Sequence, residues 1–441
     1  IGLPIDRINW GNYDLVVIDE SHNFRNGNGT NSKGGEKENR YMRLMNRVIK
    51  PGVKTKVLML SATPVNNRFY DLRNQLALAY EGDPSEFNEK LNIKSDIDTI
   101  FRQAQKVYNA WCKLPEKERT TATLLSQLDF DFFEVLDSVT IARSRKHIQT
   151  YYDVADIGNF PKRNKPISLR PKLTTRPNAI NYKEVYELLS KLHLTIYTPT
   201  AFIQPSKLQK YLSEDETEKF RSGRELGIQR LMSINLLKRM ESSVHSFLLT
   251  VKRIYDYLYD TSHAIDDFIS TGANNLNEMP DLSDEADEFD YDDQNTDFFN
   301  VGKKVKIDLR DMDYISWKRE MDEDIDNLQL LILMIEDITP EYDFKLNELI
   351  RIIREKAAAP GNKKILIFTA FSDTAEYLYE NISGMALKEL GLHTALVTGS
   401  VDGKTTIPKF KPDMNHVLAC FSPKSKDRDV LYPKDKTNLD I

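Results

Sequence analysis

Asp19 and Glu20 stand side by side at the end of a short apolar run, Leu15-Val16-Val17-Ile18. Paired carboxylates in such a place suit magnesium-nucleotide chemistry. One acid holds a hydrated metal, and the other orients or deprotonates a hydrolytic water. A second apolar run, Val57 to Leu60, ends in Ser61-Ala62-Thr63-Pro64, which offers two hydroxyls. An isolated apolar run closing in Asp-Glu is more often a strand that ends in a solvated polar turn. The second run changes that balance, because two such ends can meet.

The elements that would bring them together are readable. Each apolar run is short and continuous, as expected of a parallel strand buried on both faces. Between them lie a Gly/Asn-rich loop (Asn26 to Gly35) and a predicted helix from Lys37 to Ile49. Strand, helix and strand imply a right-handed crossover between parallel neighbours. Ligands of open α/β sheets bind at the carboxyl ends of the strands. Asp19, Glu20, Ser61 and Thr63 are therefore expected at one sheet edge. A helix over Leu72 to Tyr80 follows, closed by Glu81-Gly82-Asp83-Pro84.

Taken together, Asp19-Glu20-Ser21-His22, Ser61-Ala62-Thr63-Pro64 and the following Asn66-to-Leu76 stretch resemble motifs II and III of superfamily-two helicase-like ATPases, most closely the Swi/Snf-type branch. Lys364 to Ile382 is similar to motif IV at the start of a second RecA-like lobe. The resemblance implies an α/β fold with two partial RecA-like parallel-sheet lobes separated by a large, mainly helical insertion. Its expected boundaries are 1–84, 85–340 and 341–441. It also implies an ATP-dependent motor that translocates on double-stranded DNA and hydrolyses Mg-ATP between the lobes. In that reading Asp19 coordinates Mg2+ through water and Glu20 activates the attacking water. His22, Ser61 and Thr63 couple the nucleotide to the DNA-binding face. Arg143, Arg145 and Lys146, followed by Pro161-Lys162-Arg163, resemble the paired-arginine and proline-lysine elements that contact phosphates. Thr369, Phe371, Gly399 and Ser400 would line the DNA path on the second lobe.

The same resemblance places motif I before this sequence and motifs V and VI after it. With the start at Ile1, the chain reads as a piece of something longer that hydrolyses ATP poorly by itself. Two competing readings accompany it: a non-catalytic DNA-binding or interaction module, and the motor subunit of a restriction or phage-defence system with a nuclease partner. No nuclease signature is visible in the sequence.

Bulk properties fit a cytoplasmic protein, and the resemblance implies association with the nucleoid. No apolar run is long enough to span a bilayer. Only two cysteines, Cys112 and Cys420, are present, which fits a reducing cytosol and is read as excluding both a disulfide scaffold and a cysteine-based zinc site. The net charge of −6 is unusual for a nucleic-acid binder, but acid is concentrated between Glu278 and Asp297. Removing the ten acids of that stretch carries the remainder from −6 to +4. The stretch reads as a solvated loop of about 272–300 within the insertion.

Elsewhere helical spacing dominates. Leu128 to Ile141, Gly227 to Leu258, Ile325 to Ile338 and Phe344 to Lys356 are predicted helices. Lys363 to Thr369 reads as a buried strand, Thr374 to Leu390 as a helix and His393 to Val397 as a strand. Val417 to Ser422 reads as the next strand. Val397 to Thr405 imitates a phosphate loop, but Gly399 and Gly403 are one residue too close, so it reads as a turn. The Lys238-to-Ser243 stretch reads as packing, with a Ser-Ser pair that is a poor helix former.

Overall fold

Alternate side chains of a strand point to opposite faces of its sheet. That rule decides how the first unit is built. The computed structural model describes residues 12–24, 40–51, 53–62, 69–83, 91, 93, 95–115, 117–152, 160, 164–211, 218–272, 308–399, 403–410 and 412–441. Thr63, Ser400, Pro161 to Arg163 and the acidic stretch lie outside the described residues. The chain divides into two compact units, Ile1–Pro166 and Ile167–Ile441.

In the first unit, β1 (Leu15–Ile18) pairs in parallel with β2 (Lys56–Met59), with Leu15 opposite Lys56 and Ile18 opposite Met59. The crossover includes a short helix, α1 (Arg40–Leu44), which runs on as a π-helical turn over Met45–Ile49. Ile18, with half-buried Val16, Val57 and Met59, packs on Leu44, Met45, Val48 and Ile49. The opposite face is open. Leu15, Val17, Leu58 and Leu60 are all exposed. The expected burial on both faces is thus corrected, because among the described residues helices cover one face only.

Next, α2 (Phe69–Ala79) ends where Glu81 and Gly82 adopt left-handed φ of 56° and 82°. The Gly82 amide then donates to the Ala77 carbonyl. Leu72 and Leu76 of α2 bury against Ile97, Ile100 and Phe101 of α3 (Ile97–Cys112) and Phe132 and Val135 of α4 (Phe130–Val139). An expected boundary at 84 would cut this core, since α3 and α4 belong to the same unit as the strands.

The second unit is centred on three long helices. These are α5 (Glu218–Ser242), α6 (Val244–Thr271) and α7 (Tyr314–Glu336). Their shared core includes Met232, Phe247, Ile254, Trp317 and Leu328. The predicted long stretch from Gly227 to Leu258 is two helices, broken at Ser243. Ser243 is extended, at φ −158° and ψ 152°, and its Oγ caps α6 by accepting from the Ser246 amide at 3.0 Å. A serine side chain that competes for backbone donors favours such a cap over a helix interior.

Beyond α8 (Phe344–Ala358) the pattern departs from a complete second lobe. Lys363 to Thr369 makes no sheet ladder, with Leu366 and Phe368 exposed. Val417 to Ser422 lies within or at the end of a helix, Met414–Phe421, rather than a strand. Its run of apolar residues suits one buried helical face as well as a strand, which periodicity cannot separate over so short a span. The only sheet here among the described residues is a two-residue antiparallel pair, β3 (Ala395–Leu396) with β4 (Lys404–Thr405). The protein is therefore mainly helical, with one small parallel sheet.

A buried polar joint ties α5 and α6 to α9 (Ser372–Leu390). Arg239, 1% exposed, donates to Asp373 Oδ2 at 2.9 Å and to Ser246 Oγ at 3.2 Å. Its guanidinium lies over the Phe371 ring, 4.6 Å from the centroid. Ser242 and Ser243 hydroxyls meet Thr374 Oγ1 at 2.8 and 2.9 Å. The Lys238-to-Ser243 stretch is packing here, as its composition suggests.

Two substitutions test these cores. Ile18→Ala should cost about 2–4 kcal/mol of local stability, whereas Val17→Ala on the open face should cost about 0.5 kcal/mol or less. Hydrogen exchange at the β1 and β2 amides reads both. Removing Arg239 leaves Asp373 without its ion pair in a largely buried site, so Arg239→Ala should cost about 3–5 kcal/mol. Arg239→Lys should lose less, and equal losses in exchange protection along α9 would contradict the ion-pair account.

Candidate nucleotide-binding edge

The parallel register sets the site. Because Ile18 stands opposite Met59, the turns that leave β1 and β2 emerge together. The Leu60 amide donates to the Ile18 carbonyl at 2.8 Å, and the Ser21 amide donates to the Leu60 carbonyl at 2.9 Å. Ser21 is buried, and its hydroxyl donates to Gln75 Oε1 at 2.9 Å, which ties the turn to α2. Gln75 Nε2 in turn donates to the Asp71 carbonyl at 3.2 Å.

Held this way, the turn carries an unusual backbone. Glu20 has φ of 48°, in the left-handed region that residues with a Cβ seldom occupy. Asp19 Oδ1 accepts the Glu20 amide at 2.9 Å and supports that conformation. Both acids face solvent. His22 lies behind them, with its Nδ1 3.2 Å from Glu20 Oε2 and 3.1 Å from Ser61 Oγ. One imidazole nitrogen thus touches the acid of β1's turn and the hydroxyl that follows β2. A proton on Nδ1 would be donated to the Glu20 carboxylate; a bare Nδ1 would accept from the Ser61 hydroxyl.

The structure brings together Asp19, Glu20, His22 and Ser61, and leaves Thr63 outside the described residues. The donor set fits a magnesium ion. It offers solvent-facing carboxylate oxygens and no soft ligand, and Mg2+ takes one or two carboxylates while keeping much of its water.

The basic cluster sits elsewhere in the same unit. Arg143, Arg145 and Lys146 are exposed around the start of a helix, Arg145–Tyr151, that Ser144 caps by accepting the His147 amide. Arg143 Nε donates to the Tyr152 hydroxyl at 3.2 Å, and Arg145 lies over the Phe160 ring at 5.5 Å. The three cations stay at the surface, where phosphate contacts could form.

In the second unit Thr369, Phe371 and Gly399 line one groove of about 610 Å³. Leu366, Phe368, Leu396 and Ile441 supply much of its apolar wall. Thr369 Oγ1 donates to the Phe371 carbonyl at 3.0 Å. Phe371 itself is buried beneath Arg239, so its ring is a structural contact as well as a groove residue. Ser400 lies outside the described residues. Residues 400–402 of the imitation phosphate loop lie outside the described residues, and its last two residues, Lys404 and Thr405, form β4. Lys404 pairs with Glu376 at 3.1 Å and Glu380 at 3.8 Å, carboxylates of α9.

Sequence reading missed three features of these surroundings. Gln75 carried no signal, because a glutamine in a helix is ordinary. The left-handed Glu20 is invisible without coordinates. His416, Cys420 and Asp435 also converge, although their chain spacing matches no common motif.

No family model, curated protein or solved structure matches this chain.

Gly403 offers a direct check on the close backbone approach at the start of β4. A Cβ built there would lie 2.5 Å from the Pro412 carbonyl oxygen and 3.3 Å from the Leu396 carbonyl oxygen. Gly403→Ala should therefore destabilise the second unit by about 1–3 kcal/mol. Lys404→Ala, which removes surface ion pairs, should shift thermal unfolding much less. A larger loss from Lys404→Ala would show that its pairing with α9, rather than the close backbone approach, holds β4 in place.

Proposed function

We propose that this chain is part of an ATP-driven, double-stranded-DNA translocase of the superfamily-two, Swi/Snf-type kind. The observation that carries the reading is the contact of His22 Nδ1 with both Glu20 and Ser61 at the paired strand ends. The reading needs a residue that senses the hydrolytic acid and reports to the second strand's hydroxyl, and His22 stands between them.

In this proposal Glu20 orients and deprotonates the attacking water. Its left-handed backbone turns the side chain away from the direction an extended strand would give it. Asp19 Oδ1 is engaged by the Glu20 amide, which leaves Oδ2 toward solvent and a hydrated cation. Bound Mg2+ would neutralise charge on the phosphates. His22 then links the state of the Glu20 carboxylate to Ser61, and so to the segment that continues through Thr63 toward α2. Phosphate oxygens of duplex DNA would meet Arg143, Arg145 and Lys146, each contributing a point charge whose effect weakens with salt. Thr369, Gly399 and Ser400 would supply further contacts on the second unit. Two RecA-like lobes remain part of the proposal, supported by the parallel β1–β2 pair and by the helix-flanked groove beside Thr369.

Steady-state ATP hydrolysis by the full-length gene product, with and without duplex DNA, tests this. Glu20→Gln should reduce DNA-stimulated turnover by about 100-fold or more, since a positioned general base contributes about 10²–10⁴-fold. His22→Ala should keep measurable basal hydrolysis and lose most of its stimulation by DNA. Wild-type protein that hydrolyses no ATP with any nucleic acid would refute the motor and favour a DNA-binding module.

A further inference from the structure

Within the second unit, donor atoms of three different side chains converge. His416 and Cys420 lie four residues apart on the helix Met414–Phe421, the spacing that stacks side chains on one helical face. Asp435 comes from the loop that follows. Its Oδ2 is 2.7 Å from His416 Nε2 and 3.8 Å from Cys420 Sγ. All three ligand atoms lie within 4.8 Å of one another.

The surroundings aim these atoms. Asp435 Oδ1 accepts the Thr437 amide at 2.8 Å, which turns Oδ2 toward His416 and Cys420. The His416 ring is held between Phe410 and Tyr432, with centroids 4.3 and 4.2 Å away. Cys420 is fully buried, while His416 and Asp435 keep side-chain exposures of 22% and 21%. One side of the cluster is thus closed by protein and the other is open to water.

Two cations face the thiol, Lys364 and Arg428. Both have backbone acceptors: Lys364 Nζ donates to the Phe421 carbonyl, and Arg428 Nη1 donates to the Thr437 carbonyl at 2.6 Å. They hold the surrounding backbone and leave Asp435 Oδ2 to the histidine and the cysteine.

We propose that His416, Cys420 and Asp435 form a zinc-binding site with a fourth position open to water. Zinc takes imidazole nitrogen, thiolate sulfur and carboxylate oxygen at about 2.0–2.3 Å in a tetrahedron, so neighbouring donors lie about 3.3–3.8 Å apart. The sulfur–oxygen separation already has that value. The nitrogen–oxygen separation is that of a hydrogen bond and opens by about half an ångström as zinc takes the place of the proton. Binding releases the thiol proton to solvent, and the proton displaced from Nε2 of a neutral His416 ring is re-established on Nδ1 through exchange with solvent. The neutral imidazole carries its remaining proton on Nδ1 once Nε2 is a ligand.

The site would clip the helix to the segment that ends at Ile441. That segment matters to the unit: the Ile365 amide donates to the Asp440 carbonyl, and the Ala395 amide donates to the Ile441 carbonyl, both at 2.8 Å. Zinc would fix the register in which this segment joins its two neighbours. The inference is independent of the motor reading, which uses none of these residues.

Cobalt(II) reports the site directly. Titrating the 441-residue chain with Co2+ should give a thiolate-to-cobalt charge-transfer band and intense visible bands of four-coordinate cobalt, both erased by added Zn2+. Cys420→Ser should abolish the charge-transfer band, and Cys112→Ser should leave it intact. His416→Gln and Asp435→Asn should each weaken zinc binding by about tenfold or more in competition with a chromophoric chelator. Asp435→Asn also serves if Cys420→Ser fails to fold, because its side chain is partly exposed. Absence of a cobalt–thiolate band in the wild type, or its survival in Cys420→Ser, would overturn the proposal and leave a histidine–aspartate hydrogen bond beside a buried thiol.

Discussion

Four consecutive pairs between two short parallel strands govern the first unit. Strand hydrogen bonds fix where each chain leaves the sheet, so the pairing of Ile18 with Met59 also fixes the positions of Asp19, Glu20 and Ser61. A slip of one residue would send every side chain of β1 to the other face. Ile18 would then lose its place on Ile49 and Leu44, and the acids would leave the Ser61 edge together. The apolar face of the sheet and the polar edge are therefore one constraint. Ser21 strengthens it, since its buried hydroxyl and its amide tie the turn to Gln75 and Leu60.

A different constraint shapes the second unit. A buried guanidinium is tolerated only when its donors and charge are matched. The charge of Arg239 is matched by Asp373, its Nη1 donates to Asp373 and Ser246, and the guanidinium lies over the face of Phe371. The match requires α5 to stop before Ser243, because the cap at Ser243 starts α6 in a new direction and presents Ser246. The same break lets Ser242 and Ser243 reach Thr374. A local rule about serine in helices thus becomes a tertiary joint between the long helices and the groove-bearing segment.

Legibility in the sequence followed these constraints. Long helices with sustained periodicity were readable: Phe344 to Lys356 and Thr374 to Leu390 match helices within a few residues at each end. The β1–β2 unit was readable too, because two apolar runs flank a helical pattern. What failed were short apolar runs. Lys363 to Thr369 suits a buried strand by composition, yet Leu366 and Phe368 face outward. Val417 to Ser422 belongs mostly to a helix. Four to seven residues cannot distinguish these outcomes, since the partner that would bury them is not local. At the candidate edge, the shared placement of Asp19, Glu20 and Ser61 was legible because their strand ends were. The His416 cluster was not, because counting cysteines in search of pairs overlooks a site that needs only one.

The geometry of the edge bears on whether its acids are more than a solvated turn. Such a turn would ordinarily be built from residues that accept left-handed backbone cheaply, such as glycine or asparagine. Here the left-handed position is Glu20, between an aspartate that caps it and a serine buried beneath it. Moving the strain to Gly would relieve the backbone and remove the carboxylate. Keeping the carboxylate requires the supports that Asp19, Ser21 and Gln75 supply. His22 adds an asymmetry, because its Nδ1 lies against both Glu20 Oε2 and Ser61 Oγ. A polar turn without chemistry has no need for an imidazole shared between two strand ends. The contact of His22 Nδ1 with Glu20 and Ser61 is the observation that supports the proposed motor.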